Sequence, residues 1–548
     1  MSKQLTTIAV DLTPVLPGGE NGGAKIFVLE LLHLLSEIAP KTKFVLLTQS
    51  ASHAELSTLD RPNMRRLMVV GPVVANTLRP RFLGLASRAL PHFPSRLRRV
   101  VNRLGYKLNT ALKRGGSGRL LRDMEVDLLF CPFTAPTYFE LGIRTVCTIH
   151  DLQYKTYPEF FTAEDVSHRD QVFIDACRRA TVIAAVSDYS RSVAIRHGDL
   201  DHERIHTIHH RIAQRISLKT KLDTNTLLRL GLASESYLVY PANFWKHKNH
   251  EMLLTAFGMA CQQGLATEIK LVCTGAPGVR QDWLKNAART MGLGERVIFP
   301  GFLPNTDLAV LIANCKGMVF PSLYEGFGLP VIEAMAAGVP VACSNTTSLP
   351  EIAGDAAILF DPRVPVQIAQ AIVALAQNES IRSELIPAGL RRASEFSDTA
   401  RMAKEYYELF QCAFNYEKHK NQLAGAYVDG WTGPILNIEV APAPNAQTLE
   451  IELLAPEWLP YPKVIAKVSY ANKMNDQKFE LIRGSNRVIS LPVSSVGGCF
   501  EISISPTFIP AHFGFGDDQR ELAVMLKRSV IVGDHGNCVE LFGNNFSV

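Results

Sequence analysis

The stretch FPSLYEGFGLPVIEAMAAGVPVACSN, residues 320–345, decides how the chain is read. It is almost wholly apolar, yet Glu325 and Glu333 stand in it eight positions apart. GMVF, at its start, has the character of a buried strand, and PVACSN reads as the next one. Between them PSLYEGFG is a loop and LPVIEAMAAG a helix. Pro330 sits in the first turn, where a missing N–H costs nothing, and Gly338 ends the helix. Gly326 and Gly328 therefore fall in a strand-to-helix turn. Glycines there let backbone N–H groups approach a ligand, and the helix N-terminus favours a phosphate. Glu325 projects from the turn and Glu333 lies one turn into the helix. A carboxylate only accepts hydrogen bonds, and a vicinal diol offers it two donors at matching separation. Ribose and pyranose rings both carry such diols, so the pattern reads as a nucleotide-sugar site. The bland alternative is a salt-bridged glutamate beside an exposed loop glutamate.

Outward from this stretch the same alternation repeats. TTIAV, PGGENGG, AKIFVLELLHLLSEIA and KFVLLTQ read as strand, glycine loop, helix and strand, and VDLLFCP, RTVCTIHD and ATVIAAVS continue the series. A second series of similar size starts at YLVYPAN and runs through IKLVCTG, RVIFPG and GMVFPS to AAILFDP. Two such series imply an α/β chain with two facing, Rossmann-like, doubly wound domains, residues 1–215 and 216–415, with a cleft at the carboxyl ends of the strands. After NYEKHKNQ short alternating segments such as TLEIELLAP and CFEISISP appear between Pro, Gly and Asn. Residues 425–548 are therefore expected to form an all-β sandwich.

The totals are those of an ordinary globular protein: 548 residues, 47% hydrophobic, 20% charged, net charge +5. The ten cysteines are scattered, with no CxxC pair, which reads as reduced thiols in a cytosolic protein. No secretory leader and no uncharged apolar run of spanning length is read, so any membrane contact is expected to be peripheral. Residues 61–122 carry fifteen Lys and Arg and no Asp or Glu, interleaved with Leu, Val and Phe. This is either a solvated helical face or a surface for anionic lipid or a pyrophosphate-linked acceptor. Nucleic acid is disfavoured, because the interleaved residues are mainly aliphatic and no nucleic-acid module is recognised.

EGFGLPVIE resembles the E-x7-E signature of retaining glycosyltransferases of the two-lobed GT-B fold, specifically family 4. The resemblance extends through GVPVACSNTTSLPEIAGDAAILFDP and VIFPGFLPNTDLAVLIANC and covers about residues 5–415. It implies that Glu333 binds the nucleotide ribose, that Glu325 holds donor-sugar hydroxyls, and that the backbone of Gly326, Phe327, Gly328 and Leu329 meets sugar and diphosphate. PANFWKHKNHEMLL follows a strand with three candidate cations, Lys246, Lys248 and His247, for a leaving diphosphate, against the bland reading of a capped, exposed turn; Lys248 is the best single choice. Asn243 stands where many relatives place an Arg. His150 and Asp151 in CTIHDLQYK resemble the family's HD motif. His150 is carried over as an active-site residue with a positioning role, while Asp151 equally suits a cap. Gly22 and Gly23 resemble the first glycine loop, and Phe302 and Leu303 lie where relatives receive the base. Ser187 and Ser190 read as caps before phosphate ligands. His206, His209 and His210 read as an interlobe linker before a metal site, and metal-independent transfer is expected. DGWTG and PTFIPAHFGFGDDQRELAV resemble the β-sandwich appended to some bacterial polysaccharide glycosyltransferases, in which Trp431 either stacks on a sugar or plugs the core.

The resemblance therefore implies transfer of a hexose, mannose before others, from GDP-mannose or a UDP-hexose to a glycan or lipid-linked acceptor, with no cofactor. The enzyme would act in the cytoplasm or on the inner face of the cytoplasmic membrane. A nucleotide-sugar 2-epimerase of the same fold and a glycan-binding scaffold with an inactive transferase body are the alternatives.

Overall fold

The computed structural model describes the chain apart from residues 1–3, 18–21, 71–119, 135, 141, 199, 214–224, 417–421, 428, 442, 444–446, 471–476, 496, 517, 519, 534–537 and 544–548. Most of the basic stretch 61–122 thus lies outside the described residues.

The chain divides into two compact units. The first holds two parallel sheets. Its first lobe has seven strands: β1 (Thr7–Asp11), β2 (Lys43–Gln49), β3 (Met64–Val70), β4 (Leu128–Cys131), β5 (Arg144–Ile149), β6 (Val182–Ala185) and β7 (Ile205–Thr207), in the order β3-β2-β1-β4-β5-β6-β7. The second has six: β8 (Tyr237–Pro241), β9 (Lys270–Thr274), β10 (Val297–Gly301), β11 (Gly317–Phe320), β12 (Val341–Ser344) and β13 (Ala357–Phe360), in the order β10-β9-β8-β11-β12-β13. In each sheet the order reverses beside its first strand. Such a switch point leaves a crevice at the carboxyl ends of the strands, and ligands bind there in doubly wound sheets. Strands β1, β4 and β11 are buried throughout, as expected where helices cover both faces.

One expectation is corrected. The helices up to Phe414 were expected to complete the second lobe, but Thr399–Phe414 crosses to the first. Its buried residues Met402, Ala403, Tyr406, Leu409, Phe410 and Ala413 recur at helical spacing. Phe410 packs on Phe130 of β4 at 4.9 Å, and the Tyr406 hydroxyl lies 3.4 Å from Thr148 Oγ1 on β5. Each such ring contributes about 2–3 kcal/mol by leaving water, more than any surface ion pair that would hold the helix elsewhere.

The second unit is all-β apart from short turns and the segments around Leu120–Asp123 and Tyr138–Arg144. Its strands are β14 (Gln422–Ala426), β15 (Thr432–Val440), β16 (Gln447–Ala455), β17 (Lys463–Tyr470), β18 (Gln477–Ile482), β19 (Ser485–Val493), β20 (Gly498–Ser505), β21 (Met525–Val532) and β22 (Cys538–Gly543). They form two antiparallel sheets, β14-β15-β20-β17-β18 and β19-β16-β21-β22. Alternate residues turn inward, such as Leu449, Ile451 and Leu453 on one sheet and Leu436, Ile438 and Ile502 on the other. All six belong to one apolar cluster.

Candidate active site

The site grows from the turn between β11 and the helix Leu329–Ala336. Gly328 precedes that helix with φ 105°, a conformation that a side chain disfavours. Pro330 occupies the first turn, as read from the sequence. Ser348 Oγ lies 3.0 Å from the carbonyl oxygens of both Glu325 and Phe327, and Glu325 N–H donates to Thr347 Oγ1 at 3.1 Å. The turn is thus fixed from behind by the residues that follow β12.

Glu325 and Lys248 meet. The ammonium lies 2.6 Å from a carboxylate oxygen, with the side chains 13% and 12% exposed. Lys248 comes from the turn after β8. Tyr240 donates its hydroxyl to the Lys248 carbonyl at 2.7 Å, and Leu323 N–H donates to the carbonyl of His247 at 2.8 Å. Asn249 takes a left-handed backbone, φ 61°, and its side-chain amide donates to the carbonyls of Pro321 and Pro362. These bonds lock the lysine-bearing turn to the glutamate-bearing turn. Lys246, by contrast, is exposed. Asn243 Oδ1 accepts Ala276 N–H at 2.9 Å, so in place of a cation this position supplies a loop tie.

Glu333 is 4% exposed, one turn into the helix. Leu303 is buried in the second-lobe core, whereas Phe302 beside it is 66% exposed. Of the two, Phe302 is the one accessible to a ligand.

The first lobe reaches this turn through backbone. A β-carbon on Gly326 would lie 1.9 Å from the carbonyl oxygen of His150, so only glycine fits. Ser187 Oγ and Ser190 Oγ lie 2.7 and 3.2 Å from the Gly326 carbonyl oxygen. Ser187 Oγ also accepts Ser190 N–H at 3.1 Å, so it caps the helix Asp188–Gly198 and holds the turn at once. Gly23 approaches Leu329, whose Cδ1 would lie 3.2 Å from an added β-carbon. Gly22, with φ 56°, opens the helix Gly22–Ile38, which Lys25 steadies by donating to Leu16 O and pairing with Glu55.

His150 Nε2 lies 2.7 Å from the carbonyl oxygen of Pro132. A carbonyl only accepts, so Nε2 carries the proton and Nδ1 is left as an acceptor. Burial holds this imidazole below its usual range, which keeps it neutral. Asp151 accepts Gln153 N–H at 3.2 Å and so acts as a cap. His210 is 4% exposed, with its ring tilted against Phe27 at 4.2 Å and edge-on to Phe327 at 4.9 Å. Burial depresses it further.

Sequence reading missed Glu351, on the short helix Leu349–Ala353. Its two carboxylate oxygens accept the N–H groups of Asp188 and Tyr189 at 2.8 and 3.0 Å, and His209 Nε2 lies 2.7 Å away. Burial alone would raise this carboxyl, but His209 and the two N–H groups hold it below the usual range. Asp188, His209 and Glu351 place one ligand atom each within 4.8 Å of one another. Those atoms are engaged: Glu351 as described, and Asp188 in accepting the Thr207 hydroxyl at 2.5 Å. The cluster is a seam between lobes. Asp201, in the Asp-x-Asp string 199–201, caps the turn His202–Arg204.

The sequence profile described as "Glycosyl transferases group 1" matches residues 231–392. The chain is 32% identical over 255 residues to O-antigen chain mannosyltransferase B of Escherichia coli, covering 46% of this chain and 67% of that relative. It is 30% identical over 278 residues to the serotype-specific mannosyltransferase WbdA of E. coli, covering 48% of this chain but 33% of that one. Among solved structures, Anabaena Alr3699/HepE in complex with UDP and glucose superposes with a TM-score of 0.54 at 17% identity, over 74% of this chain and 99% of that one. WaaG, a glycosyltransferase involved in lipopolysaccharide biosynthesis, superposes with a TM-score of 0.52 at 15% identity, over 73% and 99%. At those identities the likeness is one of fold.

Proposed function

The chain belongs to the group 1 glycosyltransferases, and from that premise we propose that it moves a hexose, mannose first among candidates, from a nucleoside diphosphate sugar to a glycan or lipid-linked acceptor in surface polysaccharide assembly. Transfer proceeds with retention of configuration and needs no metal ion. The second lobe, with strands β8 to β13, takes the donor, and the first, with strands β1 to β7, faces the acceptor.

The observation that carries this reading is the Lys248–Glu325 pair beside the Gly326–Leu329 turn. A bond between anomeric carbon and phosphate oxygen has hydroxyls on one side and a dianion on the other. Glu325 accepts from the hydroxyls, while Lys248 and the helix-end N–H groups take the charge that builds on the leaving diphosphate. Glu333 accepts from the ribose diol. His150 keeps its Nε2 proton on Pro132 O and offers Nδ1 as an acceptor toward a donor-sugar hydroxyl, which makes it a positioning residue. The acceptor hydroxyl enters on the face the diphosphate leaves, so no covalent carboxylate is required, unlike the paired-carboxylate glycosidases.

A thermal-shift screen with GDP, UDP, dTDP and ADP, with and without their hexose conjugates, identifies the nucleotide. Proton NMR of the product then reads the anomeric configuration. Inversion would remove the retaining mechanism, and conversion of nucleotide-sugar without acceptor would favour an epimerase. The basic stretch 61–122 is assigned to anionic membrane, and salt-sensitive pelleting with phosphatidylglycerol liposomes tests it.

A further inference from the structure

The all-β unit carries a feature that the transfer reaction does not use. Trp458, Phe513 and Phe515 are 48%, 46% and 44% exposed and adjoin one another. The Trp458 and Phe515 rings meet edge-on at 5.2 Å, and those of Phe513 and Phe515 lie parallel to within 14° at 6.4 Å. Beneath them Trp431 and Phe508 are buried, at 5.3 and 6.0 Å from Trp458. Trp431 is therefore the core plug, and the rings it supports are the ones that face outward.

The loop bearing these rings is built rather than loose. Pro510–Phe513 forms a 3₁₀ turn, Phe515 N–H donates to the Pro510 carbonyl at 3.0 Å, and Ala511 N–H donates to the Asp518 carbonyl at 3.0 Å. Asp518 in turn holds Arg520 at 2.7 Å, and Arg520 reaches Asp429 at 2.5 Å. Asp429 sits beside the plug, accepting Trp431 N–H at 3.4 Å. Planar charged groups thus rim the aromatic patch and remain open to water.

Isolated exposed apolar residues are ordinary, but a contiguous patch with a polar rim marks a binding surface. Its chemistry selects the occupant. A pyranose ring has a face of C–H groups that stacks on an aromatic ring, and an edge of hydroxyls that suits carboxylate and guanidinium. A protein partner would be expected to use aliphatic surface as well. The large side chains described as exposed on this patch are all aromatic, whereas the exposed aliphatic ones of the unit, Ile482, Val488 and Val539, stand singly on three different strands. We propose that this face is a second carbohydrate site, which holds a stretch of glycan chain by stacking its sugars on Trp458 and Phe515. The choice of a hexose polymer as ligand rests on the glycosyltransferase reading.

Native electrophoresis of the full chain through gels cast with α-mannan, with dextran, or with neither tests this. The chain is expected to be slowed at least two-fold in one polymer gel. A Trp458→Ala/Phe515→Ala variant, which leaves the plug Trp431 in place, should migrate as in the plain gel while keeping its nucleotide thermal shift. No slowing in either polymer, or equal slowing of the variant, overturns the proposal. So does a dimer that the variant abolishes in sedimentation, which would make the patch a self-association surface. Slowing in the absence of any nucleotide shift would leave this site standing and remove the transfer reading instead.

Discussion

The backbone of Gly326 packs so closely on the carbonyl of His150 that an added β-carbon would lie 1.9 Å from the oxygen. A contact this tight cannot be relieved by a rotamer change, because both partners are backbone. Gly326→Ala should therefore displace the Glu325 turn from the first lobe. Activity is expected to fall about 100-fold or more, the scale of an ångström-level misplacement, with circular dichroism unchanged. Full activity in this variant would mean that the contact is absent during turnover.

Glu325→Gln keeps the shape and one acceptor oxygen but removes the charge. Turnover should drop by about two to three orders of magnitude, as when one electrostatic contact to a transition state is lost. Nucleotide binding, read by thermal shift, should persist. Unchanged turnover would remove Glu325 from the chemistry.

Lys248 and Glu325 are both about seven-eighths buried, so breaking the pair strands a charge. Lys248→Met alone should cost about 3 kcal/mol in urea unfolding, whereas adding Glu325→Gln should restore most of that loss. Activity should not return in the double variant. Additive losses would show that the two side chains do not interact in solution.

His250 is 1% exposed, packs against the rings of Tyr240 and Phe244 at 4.7 and 4.9 Å, and finds no hydrogen-bond partner for either ring nitrogen among the described residues. Burial, with Lys248 and Arg280 nearby, lowers its pKa to about 3. Below about pH 6.5 the unfolded chain binds a proton that the folded chain refuses, so stability falls with pH. The slope is about 1.4 kcal/mol per pH unit from this residue, continuing toward pH 3. His247, also lowered to about 3 with burial as the main cause, adds to the same limb. His250→Phe should flatten the dependence between pH 6 and 5 in urea titrations. An unaltered slope would show that His250 protonates freely in the fold.

The two sheets and the Glu325 turn were legible because their signals are local. Strand, glycine turn, Pro330 and helix follow one another within some twenty residues, and each has its own composition. Lys248 was legible as a cation after a strand, although its contact with Glu325 spans 77 positions. Glu351 was not. In LPEIAG it looks like a first-turn helix acid, and its partners lie 142 to 163 residues away. The same holds for Ser187, whose capping role is local but whose hold on Gly326 is 139 residues long. The final helix was assigned to the wrong lobe for a related reason. Its apolar stripe tells that it packs, not on what.

The seam itself has a further meaning. Ser187, Ser190 and Glu351 tie the start of the helix Asp188–Gly198 to the turn that bears Glu325 and to the segment behind it. Occupancy of one lobe and geometry in the other are then not independent quantities. On the proposed assignment of the lobes, an acceptor that favours the joined seam raises the affinity for donor by the same factor as donor raises that for acceptor. Mutual strengthening of the two substrates, in whichever order they bind, would follow from this reciprocity without a separate gate.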